Sequence, residues 1–396
     1  MAGKLLDQYS ELWKAIIRPP RDTYELKDLG PTVFSLENRT YQRTDVCLRN
    51  SRFQNLMCSH FEPIPTERVA EQLPCVVYLH GNCSSRLEAI STLPVLLPFN
   101  ITVFCFDFAG SGLSDGEYLS LGYYEKDDLA AVVHYLRQSS RTSCIGLWGR
   151  SMGAATALLH ADRDPSIAGL VVDSAFSDLK VLVEEVVDGY VSFRVPRWML
   201  GLALQAVRSS IKQNAGFDLY ELMPIEHVST AFIPALFATA TNDTFIRPHH
   251  TQELHDAYAG DKNMVMIEGD HNSARSKFFM DSVAIFFYNT LQCDQLPQHT
   301  SLPQQSPNNP ALQGALAGRR RNETATAGGI AGSMQAPARA VVFVQEGEGN
   351  SVRPSTAADE EEMVKRAIMM SLNQPASSAQ AVPQGSAALP PGESHL

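Results

Sequence analysis

The sequence predicts an α/β fold in which a mostly parallel sheet is covered by helices on both faces. Three observations predict it. Short, largely apolar runs recur between residues 75 and 267, the pattern of strands buried on both sides. Segments of helical periodicity separate several of these runs, as parallel strand crossovers require. Finally, Gly149-Arg150-Ser151-Met152-Gly153 stands between the apolar run Ile145–Trp148 and a small-residue helix, which puts a serine at the apex of a sharp strand-to-helix turn.

The elements follow in order. Leu5, Leu6, Tyr9, Leu12, Trp13, Ile16 and Ile17 form one apolar stripe in a lead-in of residues 1–30. A helix with such a stripe either packs on its own domain or lies on a membrane surface. Residues 31–293 are expected to form the main domain. Within it, Thr44–Leu48 and Leu56–Phe61 suit antiparallel edge strands. Buried strands are expected at Cys75–Leu79, Ile101–Phe106, Ile145–Trp148, Leu170–Val172, Ala235–Ala238 and Met264–Ile267, with helices at Arg86–Leu97, Glu125–Gln138, Ala154–His160 and His249–Tyr258. The apolar segment from Leu179 exceeds a minimal strand–helix repeat, so 179–215 is expected to form a small helical insertion or cap. After Gln292 the composition turns to Pro, Gln, Ser, Ala and Gly. Residues 294–355 are too poor in large apolar groups to offset the entropy of folding, and read as a disordered linker. A short helix over 356–374 and a disordered tail over 375–396 complete the reading.

Composition limits the function. The formal net charge of −11 over 396 residues argues against nucleic acid as a main partner. No run approaches the roughly 18 apolar residues of a membrane span, and the start lacks the pattern of a secretory signal. Seven cysteines without a CxxC pair suit reduced thiols in a cytoplasmic protein.

A serine hydroxyl needs a base, and the base an orienting acid. In a strand–turn–helix arrangement of this kind both should follow the serine, each at the carboxyl end of a strand. His271 follows Met264–Ile267 and is the expected base. Asp243 follows Ala235–Ala238 and is the expected acid, with Asp173, which ends Leu170–Val172, as its rival. A tetrahedral intermediate also needs N–H donors. Met152, directly after the nucleophile, should supply one. The loop His80-Gly81-Asn82-Cys83 should supply the other, from Asn82 or next from Cys83, with His80 holding the loop backbone. In Asp107-Phe108-Ala109-Gly110-Ser111-Gly112-Leu113-Ser114, Asp107 and Ser111 are expected to fix loops near the site. No nucleotide motif is complete, and the chemistry calls for no metal or cofactor.

His80-Gly81-Asn82, Asp107-x-x-Gly110-x-Gly112-x-Ser114, the Ser151 turn, Asp243 and His271 together resemble the α/β-hydrolase superfamily across residues 40–290. The Gly-Arg-Ser-Met-Gly turn and short insertion are similar to its serine-aminopeptidase-like branch, and Leu121–Glu125 and Gly269–Ser273 to plant and protist members. The resemblance implies a serine hydrolase acting on an ester, thioester or peptide bond of a small-molecule or protein-linked acyl substrate. That branch also includes thioesterases that remove palmitate from proteins; their N-terminal cysteine cluster has no counterpart before Cys47.

The terminal helix is expected to be capped by Thr356 and ended by Pro375. Its acidic run Glu360, Glu361 and Glu362, followed by Val364, Ala367, Ile368 and Ser371 on one face, resembles a ubiquitin-interacting motif. The resemblance implies that the four face residues meet an apolar patch of ubiquitin and the acids its basic rim. The trailing acid of the motif is replaced by Asn373 and Gln374. An amphipathic helix that docks back on the main domain is the plainer alternative. A non-catalytic ubiquitin-binding adaptor is the competing functional class.

Overall fold

Every apolar run named above becomes a strand. In the computed structural model, which describes residues 13, 14, 16–190 and 197–297, the strands are β1 (Val33–Leu36), β2 (Arg39–Arg49), β3 (Asn55–Pro63), β4 (Leu73–Leu79), β5 (Thr102–Phe106), β6 (Thr142–Arg150), β7 (Gly169–Asp173), β8 (Ala235–Ala240) and β9 (Lys262–Ile267). They join one sheet in the order β1-β2-β3-β5-β4-β6-β7-β8-β9. The pairs from β1 to β5 by way of β3 are antiparallel, and all later pairs are parallel.

Side chains that alternate along each strand sort into two cores, as a period of two requires. Cys75, Val77 and Leu79 of β4 join Leu147, Val172 and Phe237 on one face. There they meet residues of helices Glu125–Gln138, Met152–Ala161 and Pro248–Ala257. Val76 and Tyr78 join Trp148, Val171 and Leu236 on the other face, under Leu93, Leu96, Phe279, Val283 and Phe287. Helix Lys277–Thr290, capped by Ser276, supplies the last three and was not anticipated from the sequence.

The stretch expected as one helix over Arg86–Leu97 is broken. It runs as a 3₁₀ segment Arg86–Thr92, a single α turn Leu93–Leu96 and a second 3₁₀ turn Leu97–Phe99. Pro94 and Pro98 lack the N–H that each α turn needs, so no long helix can form there. The insertion comprises helices Leu179–Tyr190 and Arg197–Ala215. Leu182, Val186, Val207 and Ile211 sink into the first core, and Arg208 pairs with Asp218 through two contacts of 2.6 Å. Trp13 and Ile17 of the opening stripe are buried in that core, so these two side chains face the domain and not solvent. Among the described residues, no helix is long and apolar enough to cross a membrane.

The strand order positions the site. The chain steps outward from β4 to β5, then returns past β4 to β6. The loop leaving β4 turns to one face of the sheet and the loop leaving β6 to the other. Their divergence opens a crevice at the carboxyl ends of these two neighbours.

Candidate active site

Ser151 lies in that crevice between β6 and helix Met152–Ala161, at φ 53 and ψ −117. A side chain rarely adopts this backbone conformation, and the surroundings hold it there. The Ser151 N–H donates to the Asp173 carbonyl at 2.8 Å, and the Ser151 carbonyl accepts from Ala154 and Ala155 at 3.0 Å each. The flanking glycines follow from crowding. A Cβ on Gly149 would lie 2.3 Å from the Gly153 carbonyl oxygen, and one on Gly153 only 2.0 Å from that of Leu79.

The geometry brings three of the expected residues into one line. His271 Nε2 is 3.2 Å from Ser151 Oγ, and His271 Nδ1 is 2.7 Å from Asp243 Oδ2. All three residues are buried. The remaining oxygen, Asp243 Oδ1, accepts from the N–H groups of Phe245 at 3.0 Å and Ile246 at 2.8 Å. An acceptor-only carboxylate so surrounded fixes the imidazole with its proton on Nδ1 and its lone pair toward the serine. Gly269, at φ 115, makes the turn that returns His271 across the sheet edge. The Phe245 ring and the imidazole meet edge to face, with ring centres 5.2 Å apart.

Asp173 does not reach this line. Its carboxylate is gripped by Arg275, Nε to Oδ2 at 2.7 Å and Nη2 to Oδ1 at 2.9 Å.

Met152 opens its helix, where an N–H has no carbonyl of its own helix to meet. The His80–Cys83 loop lies directly against the turn, with a Cβ built on Gly81 3.8 Å from Ser151 Cβ. Asn82 is buried in that loop. His80 holds it as expected, with Nδ1 2.7 Å from the Gly81 carbonyl oxygen and Nε2 accepting from the Phe108 N–H at 3.2 Å. Asp107 accepts from the N–H groups of Arg86 at 2.7 Å and Leu113 at 2.8 Å and from the Tyr24 hydroxyl at 2.6 Å. Ser111 does not share this work, because its buried hydroxyl has no hydrogen-bond partner among the described residues. Ser114 does, donating to the Asp107 carbonyl at 2.6 Å and accepting from the Met57 N–H at 2.8 Å.

Comparison with known proteins agrees with this topology. Residues 74–222 match the family model described as "alpha/beta hydrolase fold". This is an α/β-hydrolase fold. A second model, described as "PhoPQ-activated pathogenicity-related protein", matches residues 166–316. The uncharacterized protein YqkD of Bacillus subtilis is 28% identical over 206 residues, covering 51% of this chain and 66% of that protein, just under two thirds of its length. The uncharacterized protein YfhR of Escherichia coli is 24% identical, over 63% of this chain and 78% of that one. Among solved structures, the esterase Pf2001 of Pyrococcus furiosus superposes with a TM-score of 0.52 at 20% identity, covering 70% of this chain and 97% of its own. An acetyl xylan esterase from Paenibacillus sp. R4 gives 0.51 at 15% identity, over 71% and 98%. At these identities the likeness is one of fold.

Several polar residues of this site carried no distinct signal in the sequence. Arg150 was visible only as the variable position of the turn. Glu88 and Arg275 lie seven and four residues beyond Gly81 and His271, at spacings that match no motif. Tyr24 and Arg86, a buried phenol and guanidinium 2.6 Å apart, come from the lead-in and from a segment expected to be plain helix. Away from the crevice, Glu185, His249 and His250 offer ligand atoms within 4.8 Å of one another. His249 Nε2 stands 2.7 Å from Glu185 Oε1, and Arg247 Nε is 3.7 Å from Oε2. Two ligands of one tetrahedral zinc are about 3.3 Å apart at ordinary bond lengths. The shorter spacing is that of a hydrogen bond, so the cluster joins helices Leu179–Tyr190 and Pro248–Ala257 as an ionic contact.

The terminal segment with Glu360, Glu361, Glu362, Val364, Ala367, Ile368 and Ser371 lies outside the described residues, as do Leu5, Leu6, Tyr9 and Leu12.

Proposed function

We propose that this protein is a serine hydrolase that transfers an acyl group from an ester, thioester or amide to water. The observation that carries the reading is the buried line Ser151–His271–Asp243, drawn from three separate strand ends at 3.2 and 2.7 Å. Ser151 Oγ attacks the acyl carbon as His271 Nε2 takes its proton. The imidazolium so formed is stabilised by Asp243 through Nδ1–H. The N–H groups of Met152 and Asn82 receive the oxyanion. His271 returns the proton to the leaving oxygen, sulfur or nitrogen, and a water activated by the same histidine cleaves the acyl-enzyme. The solved neighbours named as esterases agree with this reaction class, and the similarity to the serine-aminopeptidase-like branch keeps the peptide bond within it. The terminal segment 356–374 adds ubiquitin binding, weak for one helix and strengthened on a polyvalent partner.

A fluorophosphonate probe tests the chemistry. Wild type should be labelled and Ser151→Ala should not. Labelling that persists in Ser151→Ala removes the nucleophile assigned here, and unlabelled wild type points to the adaptor instead. Turnover of acyl esters, acyl thioesters and aminoacyl amides of graded chain length then identifies the bond. For the tail, capture on polyubiquitin beads should be lost in an Ala367→Arg, Ser371→Arg variant.

A further inference from the structure

We propose that Arg150 and Glu88 are a positioning pair that locks the donor loop, the serine turn and the base loop into one register. The inference rests on the acyl-transfer reading above. Glu88 Oε2 accepts from the Gly81 N–H at 3.0 Å, which fixes the peptide just ahead of the Asn82 N–H. Glu88 Oε1 accepts from Arg150 Nη1 at 2.7 Å. Arg150 Nη2 donates to the carbonyl of His271 itself at 2.9 Å. A single guanidinium, on the residue before the nucleophile, thus ties together loops from the ends of β4, β6 and β9.

The environment makes these bonds strong. The side chains of Arg150 and Glu88 are only 18% and 14% exposed. Burial opposes the Glu88 charge, but Arg150 and the Gly81 N–H outweigh it and hold the carboxyl below its ordinary value. Charge-assisted bonds in a poorly solvated setting resist bending more than neutral ones. With one terminal nitrogen on Glu88 and the other on the His271 carbonyl, Arg150 acts through its neighbours. Arg275 provides a second, narrower strut, since it grips Asp173 and also approaches the His271 carbonyl, at 3.4 Å.

The alignment matters because the three loops leave the ends of three separate strands. Displacing a reacting group by about 1 Å costs up to about 100-fold in rate. A guanidinium that only stabilised the fold would leave the turnover of each folded molecule unchanged.

The test uses the full-length chain and p-nitrophenyl butyrate, with competent sites counted by fluorophosphonate titration. Arg150→Met should lower kcat per site about 30-fold while KM stays within about threefold. Arg150→Lys should recover part of the loss, because an ammonium can keep Glu88 but cannot span both partners. Glu88→Gln combined with Arg150→Met should be little worse than the poorer single variant. Hydrogen exchange supplies a readout independent of catalysis: amides of 80–88 and of 269–275 should both exchange at least about tenfold faster in Arg150→Met. Wild-type kcat per titrated site in Arg150→Met, a loss confined to KM, or unchanged exchange in either loop overturns the proposal. If wild type shows no turnover and no labelling, the acyl-transfer reading falls, and faster exchange in both loops still establishes the brace.

Discussion

Replacing Gly153 by alanine adds one methyl group where, among the described glycines, a Cβ would come nearest to backbone. The new Cβ would stand 2.0 Å from the Leu79 carbonyl oxygen, 2.6 Å from the Leu79 carbonyl carbon and 2.8 Å from the His80 oxygen. Side-chain carbons do not approach such atoms within 3.0 Å, so Leu79 would have to withdraw by about 1 Å, the difference between 3.0 and 2.0. The obstructing atoms are backbone at the end of β4, which pairs with β6 at Leu79–Gly149 and cannot rotate aside. Overpacking of this kind costs about 1–3 kcal/mol. Moreover, the atoms that yield carry the His80–Cys83 loop, so the donor expected at Asn82 retreats from Ser151. A shift of about 1 Å there should lower kcat by up to about 100-fold, beyond any loss of folded protein. The assay pairs thermal unfolding with p-nitrophenyl butyrate turnover per titrated site. Gly201→Ala is the internal control, because nothing lies within 4 Å of a Cβ at Gly201 and alanine favours a helix. Gly153→Ala matching wild type in both stability and kcat would refute the argument from crowding.

The two candidate acids should separate cleanly. Asp243→Asn should reduce kcat about 10⁴-fold with little change in stability, since the imidazole loses its orienting charge. Asp173→Ala should instead destabilise by about 3 kcal/mol by leaving the buried Arg275 unpaired. Its melting temperature should drop by roughly 6–12 °C, and reversal of these two phenotypes would exchange the assignments. A pH dependence follows from His60, whose pKa burial pushes down to about 4, with Arg68 and Arg141 adding to the effect and Glu62 opposing it. Because the unfolded chain binds this proton near pH 6.5, the contribution is present above about pH 6.5 and drains away as the pH falls toward about 4. In denaturant titrations His60→Gln should lose less stability than wild type between pH 7 and pH 4.5, and an equal loss would exclude His60 as the source.

How much was legible depended on whether the determining interaction was local. Strands β4 to β9 were readable because each contains a short, largely apolar run, and the alternate residues of Cys75–Leu79 do face two different cores. Helix Lys277–Thr290 is hard to read although Phe279, Val283 and Phe287 repeat at four-residue spacing, because Met280 and Phe286 widen the apolar stripe and Phe278 places a large apolar residue on the exposed face. Apolar periodicity alone makes Arg86–Leu97 look continuous, whereas Pro94 within it and Pro98 just beyond it break the helix. Ser111 and Ser114 could not be told apart by sequence, since only the path of the loop decides which hydroxyl reaches Asp107.

By itself the sequence determined the strand-to-helix turn around Ser151. The requirement there is steric and local: two glycines where a Cβ would meet backbone, and a small-residue helix that follows. It also determined the chain order of serine, acid and histidine at strand ends. The sequence favoured Asp243 over Asp173, but only the tertiary structure shows which carboxylate stands beside the imidazole, because Asp173 ends β7, Asp243 follows β8 by three residues, and loop packing sets what each one meets. Arg275 holds one and His271 meets the other. The tertiary structure alone decided, too, that Arg150 joins Glu88 to His271. Those partners are 62 and 121 residues from it along the chain, and only the folded sheet, with β6 beside β4 and the loop after β9 returned toward them, makes them neighbours.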